Sequence, residues 1–476
     1  MARLIGVSNR TAAGASKAGG LAVALWDALV KTKGLWFGWS GDVAQAAPRG
    51  VELFEEGGVD FALTPLTQSE HEGYYLGYSN RSLWPVLHYR VDLAQFDEDQ
   101  FDTYAEVNRR FAKMVFGRAE AGDIIWVHDY HLMLMGRYLR DLGWEGRLGF
   151  FLHIPFPPPE IFKSLPDHAR LARSLCAFDV LGFQTTNDRR NFEKYISEEF
   201  GAQGIGDCRY RIGERQILIK AYPIGIDADV FQEMATAEAA RTAAERIEPF
   251  LGGRSLILGV DRMDYSKGIP ERFEATGRLL DHYPELHGKI AYTQIAPPSR
   301  TKVEEYADLR TELDGLAGRI NGDYGDLDWI PIRYLARSYP REALAGLYRT
   351  ARIALVTPLH DGMNLVAKEF VAAQDPGDPG VLVLSQFAGA AEQLSGGALV
   401  VNPHDRSGMA DAMKKALAMP LAERQRRWAA MNRVVHDQDI AWWRESFMAD
   451  LDPDETTGRH RPAKSDEGGS VVQLAR

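Results

Sequence analysis

"SLILGVDRMDYSKGIPERFEATGRLLDHYPELHGKIAYTQIA", Ser255–Ala296, decides the fold. An apolar run, "SLILGV", leads through a polar turn into a segment with helical periodicity, "IPERFEATGRLLDHY", and then into a second apolar run, "KIAYTQIA". Runs that are continuously apolar, rather than alternating, suit strands covered on both faces. Two of them joined by a helix predict parallel neighbours in one sheet.

Outward from that unit the same alternation recurs. Strands are predicted at "RLIGVSN", "DFALTPL", "DIIWVHD", "RLGFFLHI", "VLGFQT" and "QILIKAYPI" in the first half, and at "WIPIRYL", "RIALVTP", "VLVLSQ" and "ALVVNP" in the second. The fold class is α/β with doubly wound parallel sheets. A polar, Ala/Glu-rich break at 227–253 divides the chain into two domains, 1–228 and 229–437, with a cleft between them. The stretch 438–451, within "DQDIAWWRESFMADL", reads as a helix with two exposed-looking tryptophans that packs back on the first domain. The polar tail 452–476 is predicted to be disordered.

Composition narrows the classes of function. The 476 residues are 45% hydrophobic and 25% charged, ample for more than one core. A net charge of -11 argues against nucleic acid as a partner, although a small phosphorylated ligand needs only a few local cations. The two cysteines, Cys176 and Cys208, show neither CxxC nor metal spacing, which predicts a reducing, cytoplasmic home. The start "MARLIGVSNR" lacks the features of a secretory signal, and no window approaches the ~20 apolar residues of a membrane span. Oligomeric state, a homo-oligomer included, stays open, as do allosteric control and the purpose of the tail.

In open parallel sheets ligands sit at the carboxyl ends of strands, and the chemistry-bearing residues gather there. "VSNR" ends the first strand at Arg10 and leads past Gly19 and Gly20 into an amphipathic helix. Amides at such a turn can face an anion, though a double glycine is often mere punctuation. Neither GxGxxG nor GxxxxGK[ST] occurs. "VDRMDYSKG" sets Arg262 and Lys267 after a buried strand, and "PPSR" sets Arg300 after the next. Each alone reads equally well as surface charge. Four cations at strand ends on both sides of one cleft predict two phosphorylated ligands meeting there.

"TPLHDGMNLVAKEF", Thr357–Phe370, reads as a holder for a sugar nucleotide. Gly362 lets the turn be tight, and the amides of Asn364, Leu365 and Val366 open a helix whose positive end suits phosphate. Glu369 can accept from a ribose diol and Asp361 from sugar hydroxyls; the plainer alternative is an acidic N-terminal cap. In "HDYHL", 128–132, the H-x-x-H spacing suggests zinc, but no further ligand has a matching spacing, so neither metal nor cofactor is expected. Asp129 reads as an acceptor for sugar hydroxyls and His153 as a polar contact beside the transferring sugar. Trp39, Tyr75 and Trp84 offer faces for stacking, although such aromatics are more often core. No nucleophile–acid pair of carboxylates stands out.

Taken together, "SNR", "AGGL", "WFGWSG", "LWP", "HDYHL", "HIPFP", "DYSKG" and "DGMNLVAKE" stand in the order seen in the trehalose-6-phosphate synthases of glycosyltransferase family 20. The chain resembles that family over nearly its whole length. The resemblance implies a GT-B fold, two Rossmann-like domains facing a central cleft: an acceptor domain, a nucleotide-sugar donor domain and a returning C-terminal helix. It implies transfer of glucose, with retention, from UDP-glucose to C1 of glucose 6-phosphate, giving α,α-trehalose 6-phosphate and UDP.

By the same resemblance, Arg10 and Arg300 would bind the acceptor phosphate, Tyr75 and Asp129 the acceptor sugar, and Trp84 would shape its site. Gly19 and Gly20 would approach the donor, Arg262 and Lys267 the diphosphate, and Asp361 the donor sugar. The run Asn364, Leu365, Val366, Ala367, Lys368 and Glu369 would hold the nucleotide sugar, with Tyr339 beside the base and His153 by the reacting carbons. Asp129, His153, Arg262, Lys267 and Asp361 form the implied catalytic set. The implied mechanism is front-face: no enzyme carboxylate attacks, and the leaving phosphate helps to take the acceptor's proton. His360 stands where many members have arginine, which leaves UDP, GDP or ADP open as the donor nucleotide. No appended phosphatase domain is expected. The competing readings are a sister enzyme with another acceptor and a silent sugar-phosphate sensor; the full donor motif weighs against the second.

Overall fold

The unit quoted at the outset forms as it reads. Ser255–Val260 runs parallel to Ile290–Ile295, with Ile257 opposite Tyr292, and the helix Ile269–His282 crosses between them. The computed structural model describes residues 2–13, 20–46, 50–299 and 304–453.

These residues build one sheet of ten strands and one of six. The first holds β1 (Leu4–Arg10), β2 (Leu35–Ala44), β3 (Glu52–Glu56), β4 (Val59–Thr67), β5 (Ile124–His128), β6 (Leu148–Phe151), β7 (Val180–Phe183), β8 (Gln203–Gly206), β9 (Arg209–Ile212) and β10 (Arg215–Ala221), in the order β3-β4-β2-β1-β5-β6-β7-β10-β9-β8. From β4 to β10 along that order every pairing is parallel; β3, β9 and β8 close the edges antiparallel. The second holds β11 (Ser255–Val260), β12 (Ile290–Ile295), β13 (Ile332–Leu335), β14 (Ile353–Val356), β15 (Val381–Ser385) and β16 (Leu399–Val401), all parallel, in the order β13-β12-β11-β14-β15-β16.

Every apolar run read as a strand lies on one of these. The reading lacks β2, whose "WFGWSG" resembles a stacking surface, and the edge strands β3, β8 and β9, which are short, polar and without an apolar run. Strand order reverses between β1 and β5 in the first lobe and between β11 and β14 in the second. Crevices open at the carboxyl ends of strands at such switch points. Those ends carry Arg10 and Asp129 on one side, and Arg262 and Asp361 on the other.

Between β4 and the helix Glu98–Phe116, residues His71–Leu83 wind as a π-helix. The wider turn stacks residues five apart: Asn80 Nδ2 donates to the Tyr75 carbonyl at 2.7 Å, and Asn80 Oδ1 accepts from the Tyr130 hydroxyl at 3.0 Å. The helix Ile440–Leu451 lies on the first sheet. Trp443 is fully buried, which corrects its exposed look in sequence, and Phe447 stacks on Trp126 with ring centres 4.5 Å apart. Glycines on β6 and β7 make room for it: a Cβ at Gly149 would stand 3.0 Å, and one at Gly182 2.9 Å, from the Phe447 ring. Asp450 then accepts from Lys220 at 2.7 Å and from the Tyr222 hydroxyl at 2.8 Å. Residues 454–476, most of the tail predicted to be disordered, lie outside the described residues. Among the described residues no helix is long and apolar enough to cross a membrane.

Candidate active site

On the second lobe, the chain leaving β11 makes a tight turn at Tyr265–Lys267, with Asp264 Oδ1 accepting from the Ser266 amide at 3.0 Å. Beneath it lies Arg272, fully buried, whose guanidinium donates to Asp261 (2.5 Å), Thr357 Oγ1 (2.9 Å) and the Lys267 carbonyl (2.8 Å). This brace aims Lys267 at Asp361: Nζ stands 2.7 Å from Oδ2, and both side chains are 11% exposed. Asn364 Nδ2 donates to the same Oδ2 at 3.0 Å. Burial alone would raise the Asp361 carboxyl, but Lys267 and the hydrogen bonds hold it below the ordinary carboxylate range.

Asn364 is also the N-cap of the helix Leu365–Ala373, and no side chain caps that helix. The acidic-cap alternative therefore fails: Asp361 is committed to Lys267 and Asn364, and the helix's first amides keep their capacity for an anion. One turn along, Glu369 is half-buried, with the Tyr348 hydroxyl at 3.5 Å and Arg341 at 3.9 Å. Burial raises its carboxyl above the usual value. Leu365 and Val366 are half-buried, and Ala367 is core. Lys368, 1% exposed, turns its side chain away to the Ile224 carbonyl at 2.6 Å, so only its backbone can serve a ligand at the helix start. Tyr339 is half-buried under the Arg337 guanidinium at 5.2 Å.

On the first lobe, Arg10 is exposed, with its guanidinium 5.2 Å from the centre of the Trp39 ring. Tyr75 leans on Trp39 at 5.4 Å and stacks on His131 at 5.9 Å. Trp39 and Trp84 are each 4% exposed, so neither offers a whole face for stacking, a correction to the sequence reading. Asp129 sits at φ 75, a left-handed conformation uncommon for a non-glycine residue, and accepts from the His153 amide at 3.2 Å. His128 Nδ1 and His153 Nε2 meet at 3.2 Å. Desolvation pulls His153 down to about 3 and His128 well below its ordinary value, so both are neutral at pH 7.

The lobes meet at these groups. Arg262, exposed, lies 5.8 Å from the Trp84 ring centre. His88, desolvated to about 3, feels Lys267 and Asp361 across the gap. Gly362 packs against the main chain of the first lobe, and a Cβ there would stand 2.4 Å from the His153 carbonyl oxygen. His360 lies against Tyr89 with ring centres 3.8 Å apart; burial pulls it to about 4, so it adds no charge where many members of the resembled family have arginine. The described geometry thus brings together Trp84, Asp129, His153, Arg262, Lys267, Asp361 and Asn364. Gly19 and Arg300 lie outside the described residues, and Gly20 opens the helix Gly20–Thr32.

The model of glycosyltransferase family 20 matches residues 6–453. The chain belongs to glycosyltransferase family 20. It is 45% identical to a trehalose-6-phosphate synthase of Sodalis glossinidius, over 100% of both chains. It is similar to a UDP-forming α,α-trehalose-phosphate synthase from Burkholderia xenovorans solved in complex with glucose 6-phosphate, at 47% identity and TM-score 0.90 over 94% of this chain and 99% of that one. An E. coli structure bound with UDP-2-fluoro glucose is 46% identical, with TM-score 0.90 over 94% of this chain and 99% of that chain. The fold is GT-B, two Rossmann-like domains facing a central cleft.

Within this family-20 chain, three supports were missed in sequence. Arg272 looks like one more charge on an amphipathic helix, although its position among Ile269, Phe273 and Thr276 on the buried face was a readable signal. Gln184 links His153 to the Ile224 amide, and nothing in "GFQTT" announces it. Glu392 of the second lobe accepts from the Thr186 and Asn187 amides at 3.0 and 3.3 Å, capping a first-lobe helix across the cleft.

Proposed function

We propose that this family-20 enzyme is a retaining glucosyltransferase, moving glucose from UDP-glucose to C1 of glucose 6-phosphate and releasing α,α-trehalose 6-phosphate and UDP. The observation that carries the reading is the pairing of an uncapped helix start with the Lys267–Asp361 pair at one wall of the cleft, in a chain 47% identical to a synthase solved with glucose 6-phosphate. Domain 1–228 takes the acceptor and domain 229–437 the donor.

Lys267, Arg262 and the amides of Asn364, Leu365 and Val366 take the diphosphate, where negative charge grows as the glycosidic bond breaks. Asp361, held ionised, accepts from the donor sugar's hydroxyls, and Glu369 accepts from the ribose. Tyr339 lies beside the base. Arg10 and Arg300 hold the acceptor phosphate, Tyr75 and Asp129 its sugar, with Trp84 as a wall. Gly19 and Gly20 are assigned to the donor. The reaction is front-face: the acceptor's O1 attacks on the side from which UDP departs, and its proton passes to the leaving phosphate oxygen. Asp361 Oδ2 is engaged by Lys267 and Asn364, and Asp129 Oδ1 by the His153 amide, which fits carboxylates that position rather than attack. The cytoplasm is the inferred compartment, consistent with two free thiols, Cys176 and Cys208.

A donor panel of UDP-, GDP- and ADP-glucose with glucose 6-phosphate tests this. Turnover is expected with the sugar phosphate as acceptor and UDP-glucose as the best donor. Turnover only with a glycerol phosphate or cyclitol acceptor would assign a sister reaction, and binding without turnover would assign a sensor.

A further inference from the structure

A buried lysine with one carbonyl partner is a costly way to fill core. Lys368 is 1% exposed, burial pulls its ammonium down to about 7, and the acceptor is the Ile224 oxygen at 2.6 Å. An apolar side chain of the same length would fold more cheaply. Stability does not explain this lysine. Ile224 lies in the crossover from β10 to the helix Ala228–Thr236, which packs on the helix Leu365–Ala373. The Ile224 amide donates to Gln184 Oε1 at 3.0 Å. That bond orients the amide of Gln184 so that Nε2 faces His153 Nδ1, at a long 3.5 Å. A Gln184 Nε2 donor there requires an accepting Nδ1, which puts the ring proton on Nε2 and makes Nε2 the donor in its 3.2 Å contact with His128 Nδ1.

We propose that Lys368 is a positioning residue: through Ile224 and Gln184 it locks the nucleotide-holding helix to His153 and fixes that ring's tautomer and orientation across the lobe boundary. Either protonation state of the amine can donate to the carbonyl, so the lock holds on both sides of neutrality. The role rests on the glucosyl-transfer reading of the cleft. It differs from ligand binding, since the side chain points away from the helix start, and from scaffolding, since a methionine would scaffold as well.

The test is Lys368→Met, with Gln184→Met and the double variant, in the full chain. Lys368→Met is expected to keep or raise the melting temperature and leave UDP affinity within about threefold, while kcat falls by about tenfold or more. Nitrogen-15 histidine spectra are expected to show a single Nε2-protonated form of His153 in the wild type and a mixture in each variant. The kcat losses of the two single variants should not multiply in the double, because both act through Ile224. An unchanged kcat, losses that multiply, UDP affinity falling in step with kcat, or an unaltered His153 spectrum would each overturn the proposal. Wild-type turnover separates the two claims: an inactive wild type refutes the proposed reaction, and the histidine spectra still judge the lock.

Discussion

The two walls of the cleft hold their polar groups by opposite means. On the first lobe His88, His128 and His153 are desolvated and neutral, packed among rings such as Trp84, Phe151 and Trp443. On the second lobe the turn after β11 is held by ion pairs instead, Lys267 with Asp361 and Arg272 with Asp261. In the proposed reaction the ion-paired wall takes the departing diphosphate, and the neutral histidines lie beside the transferring sugar. A transition state that puts most of its new charge on the leaving group needs that asymmetry.

Acid should break the contrast most severely, because it forces charge onto the neutral wall. An unfolded histidine binds a proton below about 6.5, whereas His88 and His153 of the first lobe hold out to about 3, and His360, a second-lobe ring packed on Tyr89 of the first, to about 4. Between those values the unfolded state binds more protons, so stability is full above the unfolded value and falls as pH drops, by about 1.4 kcal/mol per pH unit for each such ring. Asp188, raised by burial to about 7, and Glu369 and Asp261, also raised by burial, bind their protons in the fold first and offset part of that loss. The urea midpoint should therefore fall steadily from pH 6.5 to 4; a flat midpoint would contradict the neutral wall.

Breaking the charged wall comes next. Lys267→Met removes the charge-assisted donor and leaves Asp361 buried without its cation, and kcat/KM should fall by about 10³-fold. Steady-state kinetics in both substrates check this, and a loss under about tenfold would dismiss the lysine from the transition state. Gly362→Ala tests how closely the walls must meet. Its Cβ would stand 2.4 Å from the His153 oxygen, so the walls must part and kcat should drop by about 10²-fold with the fold intact by circular dichroism. Wild-type kcat would show that the gap has slack. Glu369→Gln sharpens the donor side alone: UDP affinity by calorimetry should weaken by about tenfold, while glucose 6-phosphate affinity stays unchanged.

How much of this was legible follows from which forces act locally. Strands and helices were readable because apolar runs and 3.6-residue periodicity are local signals, and the strand ends that carry Arg262, Asp361 and Asn364 came with them. The Lys267–Asp361 pair was not, because it joins residues 94 positions apart that only the sheet order brings together. The π-helix that presents Tyr75 leaves no distinct periodicity in "HEGYYLGYSNRSL". The burial of Trp39, Trp84 and Trp443 is hidden from the sequence for one reason: an indole's neighbours are decided by tertiary packing, and sequence shows only its size.

The proposed reaction joins two anionic sugars in the cleft and keeps the donor's configuration. Proton NMR of the product formed from UDP-glucose and glucose 6-phosphate tests it most directly. Both anomeric protons should show the small coupling of an α-linkage, with UDP released in equal amount. A large coupling at either anomeric centre, or free glucose in place of a disaccharide phosphate, would contradict it.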